Sequence, residues 1–222
     1  MIDGLKADPM TIGAVYGVLL NFKSELAALG DAVNRPPYKA PPRAPVLYVK
    51  PANTWIGPGD SIPIPAGESA IQIGATLGIV FERPAVRVTA QQALECVRGF
   101  CVVNDVRLPH SNYFRPAIKQ LCRDGFCAIG DIAPRDRALD PDRLVLRAFV
   151  NDKLQQESST GELIRAVPQL IADITEFMTL STGDMLLVGV AEGRPVARSG
   201  DRVAVEVESI GRLENTVVGA AA

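Results

Sequence analysis

The side chains best suited to metal binding or nucleophilic chemistry are four cysteines and one histidine. The cysteines form two pairs with four residues between the members of each, at Cys96, Cys101, Cys122 and Cys127. With a single histidine in the chain, this spacing fits no common zinc site well. It predicts reduced, mostly buried cysteines that act as small apolar residues. The histidine, His110, falls in a predicted loop, where exposure to solvent is more frequent than a catalytic role.

A long strand predicted over residues 71–81 would form the floor of any site. Apolar residues recur there at every second position, which places them on one face toward a core; they are Ile71, Ile73, Ala75, Leu77, Ile79 and Phe81. The opposite face includes Gly74, Thr76 and Gly78. Glycine inside a strand is typical of a place where another group approaches the backbone closely. We therefore expect a ligand or a neighbouring segment to lie against this small-residue face.

The composition limits the classes of function. A chain of 222 residues with 47% hydrophobic residues can bury a sizeable core. The 23 basic and 25 acidic residues give a net charge of -2 without long runs of either sign, which argues against binding to nucleic acid or to a charged membrane surface. The amino terminus has no basic segment followed by an apolar one, and no apolar run reaches membrane-spanning length. We expect a cytoplasmic protein.

Periodicity and turn signals predict mainly strands. Besides the long strand, they are expected over residues 12–20, 100–106, 144–150, 185–190 and 202–208. Asn151 and Asp152 tolerate the positive φ of a tight turn, so a hairpin should follow residue 150. Glycine-rich turns are expected at Gly193 and Gly200.

Helices are predicted over residues 21–29, 90–98 and 163–178. Thr89 and Gln92 have capping-box spacing before the second helix, and Gly99 should end it. The prolines between residues 36 and 45 predict an extended arm, which is either a flap over the site or a plain connection. Strands outnumber helices without a βαβ rhythm, so we expect one α+β domain, predominantly β, over residues 1–222.

Six blocks, taken in order along the chain, resemble the fumarylacetoacetate hydrolase family: residues 48–81, 99–105, 112–116, 123–130, 156–160 and 182–184. Their order and spacing make the resemblance specific, and it extends from about Ala14 to Val218. It implies a mixed β-sandwich roll. The resemblance is greatest to the branch that decarboxylates and isomerises oxo-acids in 4-hydroxyphenylacetate degradation. Members of that branch are often fusions of two homologous halves, and this chain resembles the amino-terminal half.

The resemblance also implies a divalent metal, Mg²⁺ or Mn²⁺, that stabilises an enolate as a Lewis acid. Family members hold it with a Glu-x-Glu pair on the long strand and an Asp on the next core strand. The two Glu positions fall on Gly74 and Thr76 here, and Asp105 is the only ligand retained. We therefore expect this chain to bind no such metal tightly.

Other family positions have also changed. The His/Glu pair expected after the first strand reads Glu25 and Ala28, and the expected lysine falls on Leu121. The family's Gly-Thr-Pro reads Gly189-Val-Ala191. Each replacement removes a base, a charge or a hydroxyl that the family chemistry uses.

The polar positions that match the family are Lys50, Asp105, Arg115, Arg123, Asp124, Gln156 and Thr160. In one interpretation they form an oxo-acid pocket, with Lys50, Asp105, Arg115 and Asp124 in catalysis. Arg115 would clamp the anion with Lys50 as a second cation, and Gln156 and Thr160 would also bind substrate. In the other, Asp105, Arg123 and Asp124 form a structural ion-pair network.

Two hypotheses for function follow from the resemblance. The chain is either a working subunit of a decarboxylase/isomerase that acts on a small oxo-acid, or a degenerate subunit that stabilises a metal-bearing paralogue. The replacements Gly74 and Thr76 favour the second. Either hypothesis predicts a homodimer or a hetero-oligomer with a homologous subunit.

Overall fold

The computed structural model describes residues 12–135 and 139–219. The strands are β1 Val15–Leu19, β2 Val46–Lys50, β3 Trp55–Ile56, β4 Ser61–Pro63, β5 Ile71–Gln72, β6 Ala75–Phe81, β7 Val97–Asp105, β8 Cys127–Pro134, β9 Val145–Val150, β10 Lys153–Ser159, β11 Met185–Leu187, β12 Val196–Ala197, β13 Arg202–Val207 and β14 Gly211–Val218. The helices are α1 Lys23–Ala28, α2 Ala90–Ala93, α3 Ile118–Leu121 and α4 Val167–Thr175. The predicted α+β class with predominant β structure is confirmed.

The strands form two large mixed sheets and one short ribbon. The order is β2-β1-β11-β6-β7-β8-β3 in the seven-stranded sheet and β10-β9-β13-β14-β4 in the five-stranded sheet. The ribbon pairs β12 with β5. Alternate residues of β6 and β13, such as Leu77 and Val205, belong to one buried apolar cluster, so the main core lies between the two large sheets. No helix within residues 12–135 or 139–219 is long and apolar enough to cross a membrane.

The long strand predicted over residues 71–81 is interrupted at Ile73 and Gly74. β5 pairs with β12, whereas β6 pairs with β7 and β11. At the break, the Gly74 N–H donates to the side-chain oxygen of Asn104 at 3.0 Å, in place of a ladder hydrogen bond. The predicted division into two faces is confirmed, because Ile73 and Leu77 lie in the main core while Cys101 packs at Gly78 on the other face. Three of the four cysteines are buried, as expected.

The helices are shorter than predicted. The Thr89 and Gln92 capping box is present, but α2 passes into a 3₁₀ turn and the chain is already in β7 at Val97, so the prediction that Gly99 ends the helix is wrong. α4 begins only at Val167, because Leu163 forms an isolated bridge with Phe22 and the chain bends before the helix starts. The predicted hairpin turn is confirmed by the positive φ of Asn151 and Asp152.

Gly99 gives a test of the packing between β7 and β8. A methyl group at this position would overlap the backbone carbonyl oxygen of Ala133, which cannot rotate away. We expect Gly99→Ala to lower the free energy of unfolding by about 1–3 kcal/mol. Gly57→Ala is the matched control, because its added carbon would have its nearest neighbour, Asp60 Oδ2, at 3.5 Å. Urea unfolding of both variants measures the difference, and equal midpoints would contradict the close approach.

Candidate functional site

A buried group of charges lies where β2 and β7 end. The Asp105 carboxylate contacts the Lys50 ammonium at 2.8 Å and the Arg194 guanidinium at 2.9 Å. Tyr48 donates its hydroxyl hydrogen to Asp105 Oδ2 at 2.6 Å. Tyr48 and Lys50 are two residues apart on β2 and therefore project from the same face. We call these four residues the Asp105 cluster.

Lys50 is fixed by the protein on all sides. Its ammonium donates to the carbonyl oxygens of Val106, Leu121 and Phe126 at 2.7, 2.9 and 2.9 Å. These bonds use its three hydrogens, so Asp105 Oδ1 is held mainly by charge. Lys50 is 1% exposed. It therefore ties together β7, α3 and β8 rather than presenting its charge to a ligand.

The electrostatics of the cluster keep Asp105 ionised. Burial by itself would raise the pKa of this carboxyl, but the positive charges of Lys50 and Arg194 and the hydrogen bond from Tyr48 hold that pKa well below its usual value. The pKa of Tyr48 is shifted in the opposite direction, because burial and the neighbouring carboxylate raise it well above the ordinary value. Opposite Tyr48, β1 carries Gly17, where any side chain would overlap the tyrosine ring.

Arg194 is the group that approaches the small-residue face of the long strand. A Cβ atom at Gly74 would lie 2.7 Å from Arg194 Nη1 and 2.8 Å from a methyl carbon of Val190. The guanidinium donates through Nη1 to the backbone carbonyl of Asp105 at 2.5 Å and through Nη2 to its carboxylate. The cluster thus contains two cations and one ionised carboxylate, which leaves one unit of positive charge beneath Gly74.

Beside the cluster is a cleft of about 490 Å³. We refer to it as the cleft, and its polar lining residues are Glu25, Gln72, Arg107, His110, Ser111, Tyr113 and Glu192. In three segments, one residue lines the cleft and a second residue, two positions away, lies in or next to the Asp105 cluster. These pairs are Gln72 with Gly74, Arg107 with Asp105, and Glu192 with Arg194.

Arg107 presents an unpaired donor to this region. It is 5% exposed, and its Nε donates to Gln72 Oε1 at 3.0 Å. Its Nη1 is buried and has no hydrogen-bond partner among the described residues. An unsatisfied buried donor is costly, and a guanidinium suits a carboxylate through paired N–H groups. Arg107 is therefore a candidate anchor for an anionic ligand.

Glu25, on α1, is the candidate acid–base group. It is 3% exposed, and its carboxylate accepts the Leu20 N–H at 2.5 Å. Burial raises the pKa of Glu25 to about 7, against the opposing charges of Arg194 and Arg107 and the hydrogen bond from Leu20. At neutral pH this carboxyl can both accept and donate a proton. Position 25 thus retains a titratable group even though the family histidine is absent.

His110 is half-buried in the wall of the cleft rather than solvated, so that part of its prediction is wrong. Burial and the charges of Arg107 and Arg194 lower its pKa to about 4, which makes the ring neutral at pH 7. Both ring nitrogens lack a protein partner in the part of the chain that the structure describes.

The remaining predicted site residues lie apart from Asp105. Arg115 is exposed and lines other pockets, not the cleft. Thr160 accepts the Leu144 N–H at 2.8 Å and so holds the start of β9. Gln156 does reach the cleft wall, because its Nε2 donates to the backbone carbonyl oxygens of Ala191 and Glu192 at 3.2 and 2.7 Å.

The proposed network of Asp105, Arg123 and Asp124 is wrong in its members. Asp124 is exposed and accepts a hydrogen bond from Asn53 at 2.7 Å, while Arg123 donates to the Lys119 carbonyl at 2.8 Å. The cations beside Asp105 are Lys50 and Arg194, because these two side chains reach the buried end of β7.

These residues do not fit a divalent cation. Magnesium and manganese need several oxygen ligands, whereas Gly74 and Thr76 supply no carboxylate. Both carboxylate oxygens of Asp105 already face cations or a hydroxyl. Within residues 12–135 and 139–219, no group of three or more His, Cys, Asp or Glu side chains could hold a metal ion.

The chain is thus an α+β domain of two mixed sheets, and beside them lies a cleft that contains a candidate acid–base carboxyl and an unpaired arginine donor. A sequence profile described as fumarylacetoacetate (FAA) hydrolase C-terminal matches residues 14–218. The chain belongs to the fumarylacetoacetate hydrolase family. In the curated relatives the matching segment is the C-terminal part, so the expected likeness to an amino-terminal half is wrong.

The chain is 39% identical, over 206 residues, to the 4-hydroxyphenylacetate degradation bifunctional isomerase/decarboxylase of Salmonella dublin. The match covers 93% of this chain and 47% of the relative, so the chain spans about half the length of the curated relatives it matches. A solved 5-carboxymethyl-2-hydroxymuconate delta-isomerase from Mycobacterium smegmatis is similar at 30% identity and a TM-score of 0.79, over 99% of this chain and 83% of that one.

A second similar structure is fumarylpyruvate hydrolase from Pseudomonas aeruginosa, which was solved with Mn²⁺ and pyruvate. Its TM-score is 0.79 at 21% identity, over 93% of this chain and 90% of that one. At this identity the likeness shows the fold alone. A protein with this fold was therefore solved with a divalent metal, whereas the residues of this chain do not fit one.

The Asp105 cluster predicts a strong effect of removing its only anion. We expect Asp105→Ala to lower the free energy of unfolding by about 3–5 kcal/mol, because Lys50 and Arg194 would remain buried without a counter-charge. Glu95→Ala is the control, since its ion pair with Arg83 is exposed and should contribute little. Urea titration compares the two, and a loss at Asp105 no larger than at Glu95 would refute the assignment.

Proposed function

We propose that the cleft catalyses keto–enol isomerisation of a small oxo-acid. The observation that carries this proposal is Glu25, with a pKa of about 7, in the same cleft as the unpaired Nη1 of Arg107. One group transfers a proton and the other binds a carboxylate, which are the two requirements of an oxo-acid tautomerase. The names of the Salmonella and Mycobacterium relatives support the same class of reaction.

In the proposed mechanism, Arg107 binds a substrate carboxylate and orients the carbon next to the carbonyl group toward Glu25. The Glu25 carboxylate accepts a proton from that carbon. The C–H electron pair forms a C=C bond, and the carbonyl π pair moves to oxygen to give an enolate. Return of the proton from Glu25 to another carbon of the conjugated system, or to the enolate oxygen, completes the isomerisation. Neutral His110 can donate or accept a hydrogen bond to the same ligand.

The pathway assignment is part of this proposal. We place the chain in the isomerase/decarboxylase of 4-hydroxyphenylacetate degradation, with substrates of the type 5-oxopent-3-ene-1,2,5-tricarboxylate and 2-hydroxyhepta-2,4-diene-1,7-dioate. A cytoplasmic location and a single domain with its core at residues 14–218 belong to the same proposal. Isomerisation needs only the acid–base and anion-binding groups described, so it is better supported than decarboxylation.

A second candidate is a partner subunit that stabilises a metal-bearing homologue. One observation favours it: Gly74 and Thr76 replace the expected carboxylates. Such a subunit would form a hetero-oligomer, whereas the isomerase would also act as a homodimer.

An assay of the purified chain separates these candidates. The ultraviolet absorbance of 2-hydroxyhepta-2,4-diene-1,7-dioate, a conjugated dienol, should fall as the compound ketonises. We expect turnover by the chain alone, above the rate in buffer. Turnover only after addition of the homologous metal-bearing subunit would support the partner role and reject an intrinsic isomerase.

Glu25→Gln should remove the acid–base step while retaining the shape and the acceptor for the Leu20 N–H. We expect kcat/KM to fall at least about a hundredfold, which is the usual size of a general acid–base contribution. In the native chain, kcat/KM should rise as the pH increases through about 7, because the carboxylate is the proton acceptor. Glu95→Gln is the control, because it changes an exposed carboxyl far from the cleft lining, and it should leave kcat/KM unchanged. Gln72→Glu would not serve as a control, because Gln72 accepts a hydrogen bond from Arg107.

The same group predicts a pH dependence of stability. The pKa of Glu25 is about 7 in the folded chain, above the ordinary value of 4.5, so the folded state binds this proton more tightly. The resulting stabilisation is fully present below about pH 4.5 and is lost as the pH rises through 7, by about 3 kcal/mol. In thermal unfolding, the Tm of Glu25→Gln should therefore rise relative to that of the native chain from pH 5 to pH 8. A constant difference across this range would contradict the raised pKa.

A further inference from the structure

We propose that Gln72 is a positioning residue for Arg107. Its neutral amide holds the Arg107 guanidinium in the wall of the cleft without neutralising it, so that the positive charge stays available for one carboxylate group of an oxo-acid. This inference rests on the proposed function for the identity of the ligand. It goes beyond that function because it assigns the anion preference of the cleft to an uncharged residue that takes no part in proton transfer.

The backbone places the two residues directly opposite each other. Gln72, the last residue of β5, and Arg107, two residues after the end of β7, form an antiparallel bridge. The Gln72 N–H donates to the Arg107 carbonyl oxygen at 2.8 Å, and the Arg107 N–H donates to the Gln72 carbonyl oxygen at 2.9 Å. On its other side, Gln72 pairs with Val196 of β12. The two side chains therefore leave a fixed backbone on the same face.

The side-chain contact fixes Nε of the guanidinium and leaves Nη1 unpaired. Arg107 Nε donates to Gln72 Oε1 at 3.0 Å. Arg107 Nη1 is buried and lacks a hydrogen-bond partner among the described residues. Both side chains line the cleft. Because the amide oxygen already accepts from Nε, the pair offers mainly N–H donors to a ligand, and such donors suit a carboxylate.

Arg107 is a buried cation without an ion pair. It is 5% exposed, and none of the ion pairs within residues 12–135 and 139–219 includes it. A buried guanidinium without a counter-charge is costly, and the carboxylate of a ligand would supply that counter-charge. Burial and the charge of Arg107 lower the pKa of His110 to about 4, so this charge also acts on the cleft wall.

A purely structural role for Gln72 makes a different prediction. If the side chain only holds the ribbon of β5 and β12 against the chain after β7, Gln72→Glu keeps the acceptor for Arg107 Nε and should leave ligand affinity unchanged. If the neutrality of the amide matters, the new carboxylate pairs with Arg107 and competes with the ligand. The urea midpoint of Gln72→Glu should then rise while its affinity for an anion falls, because the buried cation gains a permanent partner.

Pyruvate, an oxo-acid with one carboxylate, is the probe for the test, and pyruvamide is its neutral counterpart. In nuclear magnetic resonance titrations of the full chain in EDTA, pyruvate should bind at least about tenfold more tightly than pyruvamide. Gln72→Glu should weaken pyruvate binding at least about tenfold and change pyruvamide binding by less than about twofold. Gln91→Glu is the matched control, since Gln91 is exposed on α2 and does not line the cleft, and it should bind both compounds as the native chain does.

A double-mutant cycle tests whether Gln72 acts through Arg107. Gln72→Met removes the acceptor oxygen at a similar side-chain length, and it should weaken pyruvate binding about threefold or more because the guanidinium is no longer held in place. In an Arg107→Gln background, neither change at Gln72 should weaken pyruvate binding further, since the cation on which both changes act is absent. Circular dichroism establishes that each variant is folded.

A folded Gln72→Glu variant with native affinity for pyruvate would overturn the inference. A native chain with no preference for pyruvate over pyruvamide, or equal losses from Gln72→Glu with and without Arg107, would overturn it as well.

Steady-state kinetics with 2-hydroxyhepta-2,4-diene-1,7-dioate separates the inference from the proposed function. Gln72→Glu should raise KM at least about tenfold and leave kcat nearly unchanged, because the residue affects binding and not proton transfer. Turnover with an unchanged KM in this variant would overturn the inference and leave the proposed function in place. A preference for pyruvate that depends on Gln72 and Arg107, in a chain that does not turn over the dienol, would support the inference and reject the proposed function.

Discussion

The burial of the Asp105 carboxylate is the constraint on which the rest of the site depends. An ionised carboxylate without partners would cost several kcal/mol in this environment, so the fold must bring cations to the end of β7. Lys50 meets this need and, through three carbonyl groups, also fixes the chain after β7, at the end of α3 and before β8. Arg194 meets it from a distant part of the sequence. The electrostatic requirement thus positions the segments that form the cleft.

The local parts of this structure were accessible from the sequence, whereas its long-range parts were not. Alternation of apolar residues predicted the two faces of β6, and turn chemistry predicted the hairpin at Asn151 and Asp152, because both depend on near neighbours. The contact of Arg194 with Asp105 spans 89 positions, and no local pattern announces it. The resemblance to the family located the missing carboxylates at Gly74 and Thr76, but it could not show which side chain occupies the space they left.

The acid–base properties of the cleft follow the same division. Glu25 was identified only as a replaced histidine, since its sequence neighbours do not reveal that it is buried. Its pKa depends on burial and on the charges of Arg107 and Arg194, which come from other segments. A signal did exist in the spacing of charged residues, because Asp105 and Arg107 are separated by two positions on extended chain at the end of β7. Such pairs share a face and can link a buried cluster to a cleft.

The changes at positions 25, 74, 76 and 194 are best understood together. In the arrangement that the family resemblance implies, three carboxylates surround a divalent cation, which leaves one negative charge before any lysine is counted. Here Asp105 and Arg194 neutralise each other, so the same region is one unit more positive. This shift makes a carboxyl group at position 25 compatible with the cleft, because Arg194 and Arg107 oppose the effect of burial and keep the pKa of Glu25 near neutrality. A histidine there would face two nearby cations, and its pKa would be lowered as that of His110 is. With the Arg194 guanidinium beside Gly74, a glutamate at position 25 is therefore more compatible with the cleft than a histidine.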